Sequence, residues 1–193
     1  MTRKVSVLSL ALLCAAVFAP GAALAHTGAV HAAGFGHGFS HPLGGLDHIL
    51  AMVAVGIWAS QAGGKSLWAV PAAFVGVMLL GGVLGAAGLS VPFIEEGIIV
   101  SVLMLGVLIA LAARLPLAMS MAVVGLFALF HGHAHGAEMP VAVEYGAGFI
   151  TATALLHISG IAIGALFQKT ARAQSVRYAG AAIAVSGVLL FFV

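Results

Sequence analysis

Charge is what this sequence lacks most. Only 6% of its residues are charged while 63% are hydrophobic, against a soluble-domain norm of about a quarter charged and half apolar. Water cannot be the solvent for most of such a surface, so a soluble fold is excluded and lipid takes its place. Cysteine is nearly absent too. The single one, Cys14, lies in a segment that reads as cleaved, so the mature chain has neither a disulfide nor a thiolate ligand. A Gly-rich phosphate loop of the GxxxxGK(S/T) kind is also missing, and 193 residues leave no room for an ATPase domain beside the helices. Any transport must therefore run on a gradient or on a partner protein. No nucleic-acid partner is expected.

What is present begins with a secretory signal over residues 1–25. Arg3 and Lys4 precede the apolar run Val5 to Phe18, and Ala23-Leu24-Ala25 fits an A-x-A cleavage site. The mature chain then starts at His26 with a histidine-containing periplasmic segment, residues 26–41, followed by a transmembrane domain over 42–193. The domain has space for about six spans of roughly 20 residues. Apolar runs place them near Pro42 to Ala62, Leu67 to Leu89, Phe93 to Ala113, Leu117 to Gly136, Val141 to Phe167 and Tyr178 to Val193. The expected fold class is thus all-α, a polytopic six-helix membrane bundle after a cleavable signal peptide.

Orientation follows from the basic residues. With His26 periplasmic and each span crossing once, Lys65, Arg114, Lys169, Arg172 and Arg177 all fall on the cytoplasmic side, and they are every lysine and arginine after the signal. The same count sends Asp47, Glu95, Glu96, Glu138 and Glu144 outward. The expected location is the bacterial inner membrane with the N-terminus outside. Glycines spaced by four, Gly81 with Gly85 and Gly160 with Gly164, predict close helix packing in lipid and nothing more.

Nine histidines accompany only five acidic residues, and they are clustered. His26, His31, His37, His41 and His48 precede or enter the first span, His131, His133 and His135 crowd the end of the fourth, and His157 sits alone in mid-span. In the first cluster, Ile49 to Gln61 supplies only about 20 Å of helix at 1.5 Å per residue, less than a bilayer core. Asp47 and His48 must therefore sit in or at the edge of the hydrocarbon, where an acidic side chain costs up to roughly 2.5 to 3.5 kcal/mol and demands a partner. A bound cation is one such partner. Pro42 with Gly44-Gly45 predicts a broken helix able to line a cavity.

If the fourth helix continues through its cluster, positions i, i+4 and i+7 put His131, His135 and Glu138 on one stripe and turn His133 elsewhere. Imidazole and carboxylate without thiolate suit Ni(II), Zn(II), Co(II) or Fe(II) better than Cu(I), and ligand type alone does not choose among the four. HGHAH lacks the catalytic glutamate of HExxH, which disfavours a hydrolytic site. Because imidazole must be neutral to bind metal, capture should weaken as pH falls through about 6.5. His26 and His37 are candidate capture groups in the tail. His157, alone in mid-span, reads first as a hydrogen-bonded packing residue and only second as a ligand, and the sequence does not decide whether His133 is a ligand.

These two clusters read His41-Pro42-Leu43-Gly44-Gly45-Leu46-Asp47-His48 and Phe130-His131-Gly132-His133-Ala134-His135-Gly136-Ala137-Glu138. They resemble the HPxxGxDH and FHGxAHGxE motifs of the hydrogenase/urease accessory nickel permease family, HupE/UreJ, without departure. The resemblance extends over essentially the whole chain. It implies import of Ni2+, or of Co2+ or another divalent metal, as cargo for maturation of a hydrogenase or urease, with no enzymatic activity and no prosthetic group. It assigns metal contacts to His41, Asp47, His48, His131, His135 and Glu138, with Glu95 or Glu96 as a further acidic contributor. Rival readings are an intramembrane metal-dependent hydrolase, a channel for urea or ammonia, and a metal sensor or store.

Overall fold

The computed structural model describes residues 34–138, 143–169 and 173–192. The signal-like segment, His26 and His31 lie outside them. Among the described residues there are seven α-helices and no strand: α1 (Phe35–Gly44), α2 (Leu46–Ala62), α3 (Ser66–Ala86), α4 (Ile94–Ala110), α5 (Leu117–Glu138), α6 (Val143–Lys169) and α7 (Ala173–Leu190). Three of them, α3, α5 and α6, are long and apolar enough to cross a membrane, and α1 with α2 would make a fourth span if the bent pair is counted as one. The six runs expected from sequence correspond to α2 through α7, but α4 and α7, at 17 and 18 residues, fall short of that class.

The first run begins differently from expectation. Residues 35–41 form helix rather than a free tail, with Pro42 inside α1 and the break one turn later at Gly45, whose extended backbone (φ −109°, ψ 125°) turns the chain by 88° into α2. Pro42 has no N–H to give the Gly38 carbonyl one turn back, which weakens the last turn of α1 just ahead of the break. At the far end of α2, Gly63 and Gly64 take positive φ (67° and 54°) and reverse the chain tightly into α3.

Helices then alternate up and down, held in pairs by glycine. In lipid, apolar side chains gain nothing by leaving the solvent, so close backbone approach supplies the attraction. The α3–α5 contact is the most extensive: a Cβ on Gly132 would strike the Met78 carbonyl, one on Gly136 the Gly82 carbonyl, and one on Gly85 the His133 carbonyl. Gly56 of α2 faces Gly160 of α6, and Gly106 of α4 meets Ala184 of α7. The interior is filled by Met52, Trp58, Phe74, Ile98, Leu105 and Ile109, while Trp68, Leu80, Val83, Leu126 and Leu166 face outward. Large exposed apolar side chains around the whole perimeter are what a bilayer requires and water penalises.

The up-and-down order gives the bundle two chemically distinct ends. Lys65, Arg114, Lys169 and Arg177 fall at one end, in or beside the α2–α3, α4–α5 and α6–α7 connections. The histidines of α1, α2 and α5 fall at the other.

Candidate metal centre

The site is built where the α1–α2 break meets the last turns of α5. Gly45 leaves the room the site uses: a Cβ would lie 2.6 Å from Asp47 Oδ1 and 2.9 Å from His48 Nδ1, so that pair would have to shift. With nothing in the way, Asp47, in the first turn of α2, folds its carboxylate against its neighbour. Oδ1 accepts from both the His48 backbone N–H and the His48 ring Nδ1–H, each at 2.9 Å. A carboxylate at a helix N-terminus is favoured by the dipole and by the unpaired N–H groups. Its hold on Nδ1–H fixes the tautomer, so His48 Nε2 presents a lone pair.

That lone pair points across the bundle to α5. His48 Nε2 lies 2.6 Å from His135 Nε2, with both rings buried, and the His135 N–H is therefore the donor. On the other side of His48 stands His131, edge to face, with ring centres 4.9 Å apart. His41 of α1 stacks edge-on against His135 at 4.5 Å. The rings thus form a string, His41 to His135 to His48 to His131, at centre-to-centre steps of 4.5, 4.6 and 4.9 Å. On a straight helix His41 and His48 would be about 10.5 Å apart; the bend at Gly45 brings both onto the same partner, His135.

His131 is oriented by a residue that sequence reasoning missed. Ser101 of α4 gives its hydroxyl proton to the Ile98 carbonyl (2.6 Å), so it must accept from His131 Nε2–H at 2.9 Å. His131 Nδ1 is left as a buried lone pair with no protein donor among the described residues. Metal-binding imidazoles are commonly held this way, the second nitrogen donating to an oxygen. The available sign was a serine inside an otherwise apolar run, which the i, i+4 logic of one helix does not connect to another. Aromatic walls, likewise unforeseen, enclose the string: Phe149 packs on His135 at 4.5 Å, Tyr145 on His41 at 6.0 Å and Phe74 on His131 at 5.8 Å. The His135 ring also lines an apolar cavity of about 400 Å³ between α3, α5 and α6.

The fourth-helix motif divides its labour by helical phase. His131 and His135 face His48, Gly132 and Gly136 face the backbone of α3, and His133 turns away to donate Nε2–H to the Leu89 carbonyl at 2.6 Å, tying the α3–α4 connection to α5. Other candidates stand apart. His37 is exposed on α1, Glu95 and Glu96 are exposed in the first turn of α4, and His157 is buried in the middle of α6. The side chain of Glu138 lies outside the described residues.

Among the described residues no three His, Cys, Asp or Glu side chains surround one point as a finished ion cage. The 2.6 Å between His48 Nε2 and His135 Nε2 suits a shared proton. Two metal–nitrogen bonds of 2.0 to 2.1 Å at a right angle place their nitrogens about 2.9 Å apart. The pair therefore needs a few tenths of an ångström of widening, and loss of one proton, to take an ion between them.

Taken together, fold and site define an all-helical membrane protein whose buried polar chemistry is a row of imidazoles anchored by one carboxylate. The family description "HupE / UreJ protein" matches residues 12–190, and the chain is 49% identical over 179 residues to the protein HupE of Rhizobium leguminosarum bv. viciae, covering 91% of this chain and 93% of that one. The chain belongs to the HupE/UreJ family of hydrogenase and urease accessory proteins. No solved structure matches it.

Proposed function

We propose that this protein imports a divalent transition metal across the bacterial inner membrane, nickel(II) foremost, for maturation of a hydrogenase or urease. The observation that carries the reading is the His48–His135 contact. Two nitrogens from motifs 87 residues apart approach to 2.6 Å inside the bundle, within a string of imidazoles that each present or can present a lone pair. A string of pairwise stations suits an ion that must move on, since conduction needs sites strong enough to enter and weak enough to leave.

The proposed topology has six crossings with the N-terminus outside. α4 and α7, about 26 and 27 Å long at 1.5 Å per residue, join the longer helices as spans, and the basic end faces the cytoplasm. The ion is captured by the histidine end, loses part of its water shell to His41 and His135, and passes to Asp47-His48 and His131. Entry of a divalent cation is favoured by a negative interior at about 2.3 kcal/mol per charge per 100 mV, which supports import without ATP hydrolysis by the permease.

The test is nickel-63 accumulation at submicromolar nickel in cells expressing the wild type, Asp47→Ala or His135→Ala, with zinc, cobalt and copper as competitors. Uptake present in the wild type, resisted by excess zinc and lost in both variants at normal membrane levels is the expected result. Wild-type accumulation no greater than in cells lacking the protein would remove nickel import.

A further inference from the structure

Below the histidine string, four buried side chains from two helices face one another. Phe74 and Met78, one turn apart on α3, oppose Thr153 and His157, one turn apart on α6. The Phe74 ring packs against both His131, at 5.8 Å between ring centres, and His157, at 5.2 Å and edge-on. His157 is 2% exposed, Thr153 fully buried, and neither ring nitrogen of His157 has a hydrogen-bond partner among the described residues. A neutral imidazole carries one N–H and one lone pair, and leaving both unpaired forfeits its hydration for nothing.

Thr153 shows the same anomaly. The exposed hydroxyls on its helix fold back on their own backbone, Thr151 to the Ala147 carbonyl at 2.7 Å and Ser159 to the Leu155 carbonyl at 2.8 Å, as serine and threonine in helices usually do. Thr153 instead directs its hydroxyl at the Met78 sulfur, 4.0 Å away, a weak acceptor that leaves the oxygen lone pairs open. Along α6, His157 stands about 18 Å from Tyr145, which packs on the string, and about 18 Å from Lys169 at the basic end. It marks the middle of the span.

We propose that His157, Thr153 Oγ1 and Met78 Sδ form an inner station for the transported divalent cation, distinct from the histidine string and reached from it past the Phe74 ring. The inference rests on the import reading above. One imidazole, one hydroxyl and one thioether make a mixed, weakly binding set for a borderline ion, with water completing the coordination. Weak binding is what an intermediate station needs, because an ion held there must leave toward the basic end.

The test uses the purified full chain in liposomes, with nickel-63 influx driven by an inside-negative potential. In His157→Leu the maximal rate should fall at least tenfold while KM is no higher than in the wild type, since capture at the string comes first. His157→Cys, which restores a metal donor, should recover a good part of the rate and shift preference from nickel toward cadmium; a residue that only packs would leave Cys and Leu alike. Should His157→Leu not give a monodisperse protein, the volume-keeping pair Thr153→Val with Met78→Leu tests the station, with a three- to tenfold loss of maximal rate expected. Wild-type rate and KM in His157→Leu, or in that pair, overturn the inner station and leave import standing. Absence of nickel influx through the wild type overturns the import reading and the station with it.

Discussion

The two ends of α2 solve one physical problem in opposite ways. Polar groups at membrane depth must be satisfied within the protein. At the histidine end the partners are exchangeable: imidazole meets imidazole at 2.6 Å and carboxylate at 2.9 Å, and each nitrogen can trade a proton for a metal ion. At the basic end the partners are fixed donors. Trp58 Nε1–H gives to the Ala113 carbonyl at 2.9 Å, Gln61 to the Ile109 carbonyl at 3.2 Å, and Arg177 to the Ala110 carbonyl at 2.7 Å. Together they tie down the last turn of α4 and the residues just past it, and a guanidinium there also complements the helix dipole. One end is arranged to change partners and the other to keep them. Function and stability should therefore separate along a single helix.

The sharpest break of that comparison sets two glycines of the same helix against each other. Gly45→Ala puts a methyl group onto Asp47 Oδ1 and His48 Nδ1, spoiling the contact that sets the His48 tautomer. Nickel uptake should fall about 10- to 100-fold, the usual range for losing an outer-shell partner of a metal ligand. Gly63→Ala at the other end meets no neighbour but must hold φ 67° with ψ −169°, a region essentially confined to glycine, at a penalty of roughly 1 to 3 kcal/mol. It should lower the melting temperature and leave uptake per folded molecule unchanged. Nickel-63 uptake normalised to membrane level, beside a thermal-shift measurement, checks both; equal uptake in the two variants would break the division.

Much of this division is legible in the sequence. Pro42, Gly44 and Gly45 announce a broken helix, and the break is there, at Gly45. The i, i+4 spacing puts His131 and His135 on one face, and both do meet His48. Legibility stops where partners are distant along the chain. Nothing local says that Ser101 aims at His131 across 30 residues, that residues 35–41 dock on α6 as helix, or that Trp58 reaches the end of α4. The apolar run Phe93 to Ala113 also overshoots α4, because hydropathy continues past Ala110 into residues where Ala112 already has a φ of 50° and the helix has ended, whereas α7 starts at Ala173, ahead of the run Tyr178 to Val193, because its first turn is polar.

Ser101 offers a finer test within the histidine end. Ser101→Ala keeps the volume nearly constant but removes the acceptor for His131 Nε2–H, so the ring can rotate or change tautomer. Nickel affinity, measured by equilibrium binding to the purified protein, should weaken about tenfold. Ser101→Thr, which retains a hydroxyl, should bind more tightly than the alanine variant. If alanine and wild type bind alike, the hydrogen bond only packs α4 against α5.

The smallest effect on transport is expected at the basic end, from Trp58→Phe. The indole is 1% exposed and its N–H is the donor to Ala113; phenylalanine keeps an aromatic ring there but leaves that carbonyl without its side-chain donor. The bond is part-buried, so its loss costs about 1 kcal/mol, the low end for an acceptor left without a donor, and unfolding in detergent should occur at slightly lower temperature. KM for nickel should stay at the wild-type value, because none of the imidazoles in the string moves. A raised KM would mean that the two ends are coupled through α2, with the carbonyl cap on α4 helping to set the geometry of His48 at the far end of the helix.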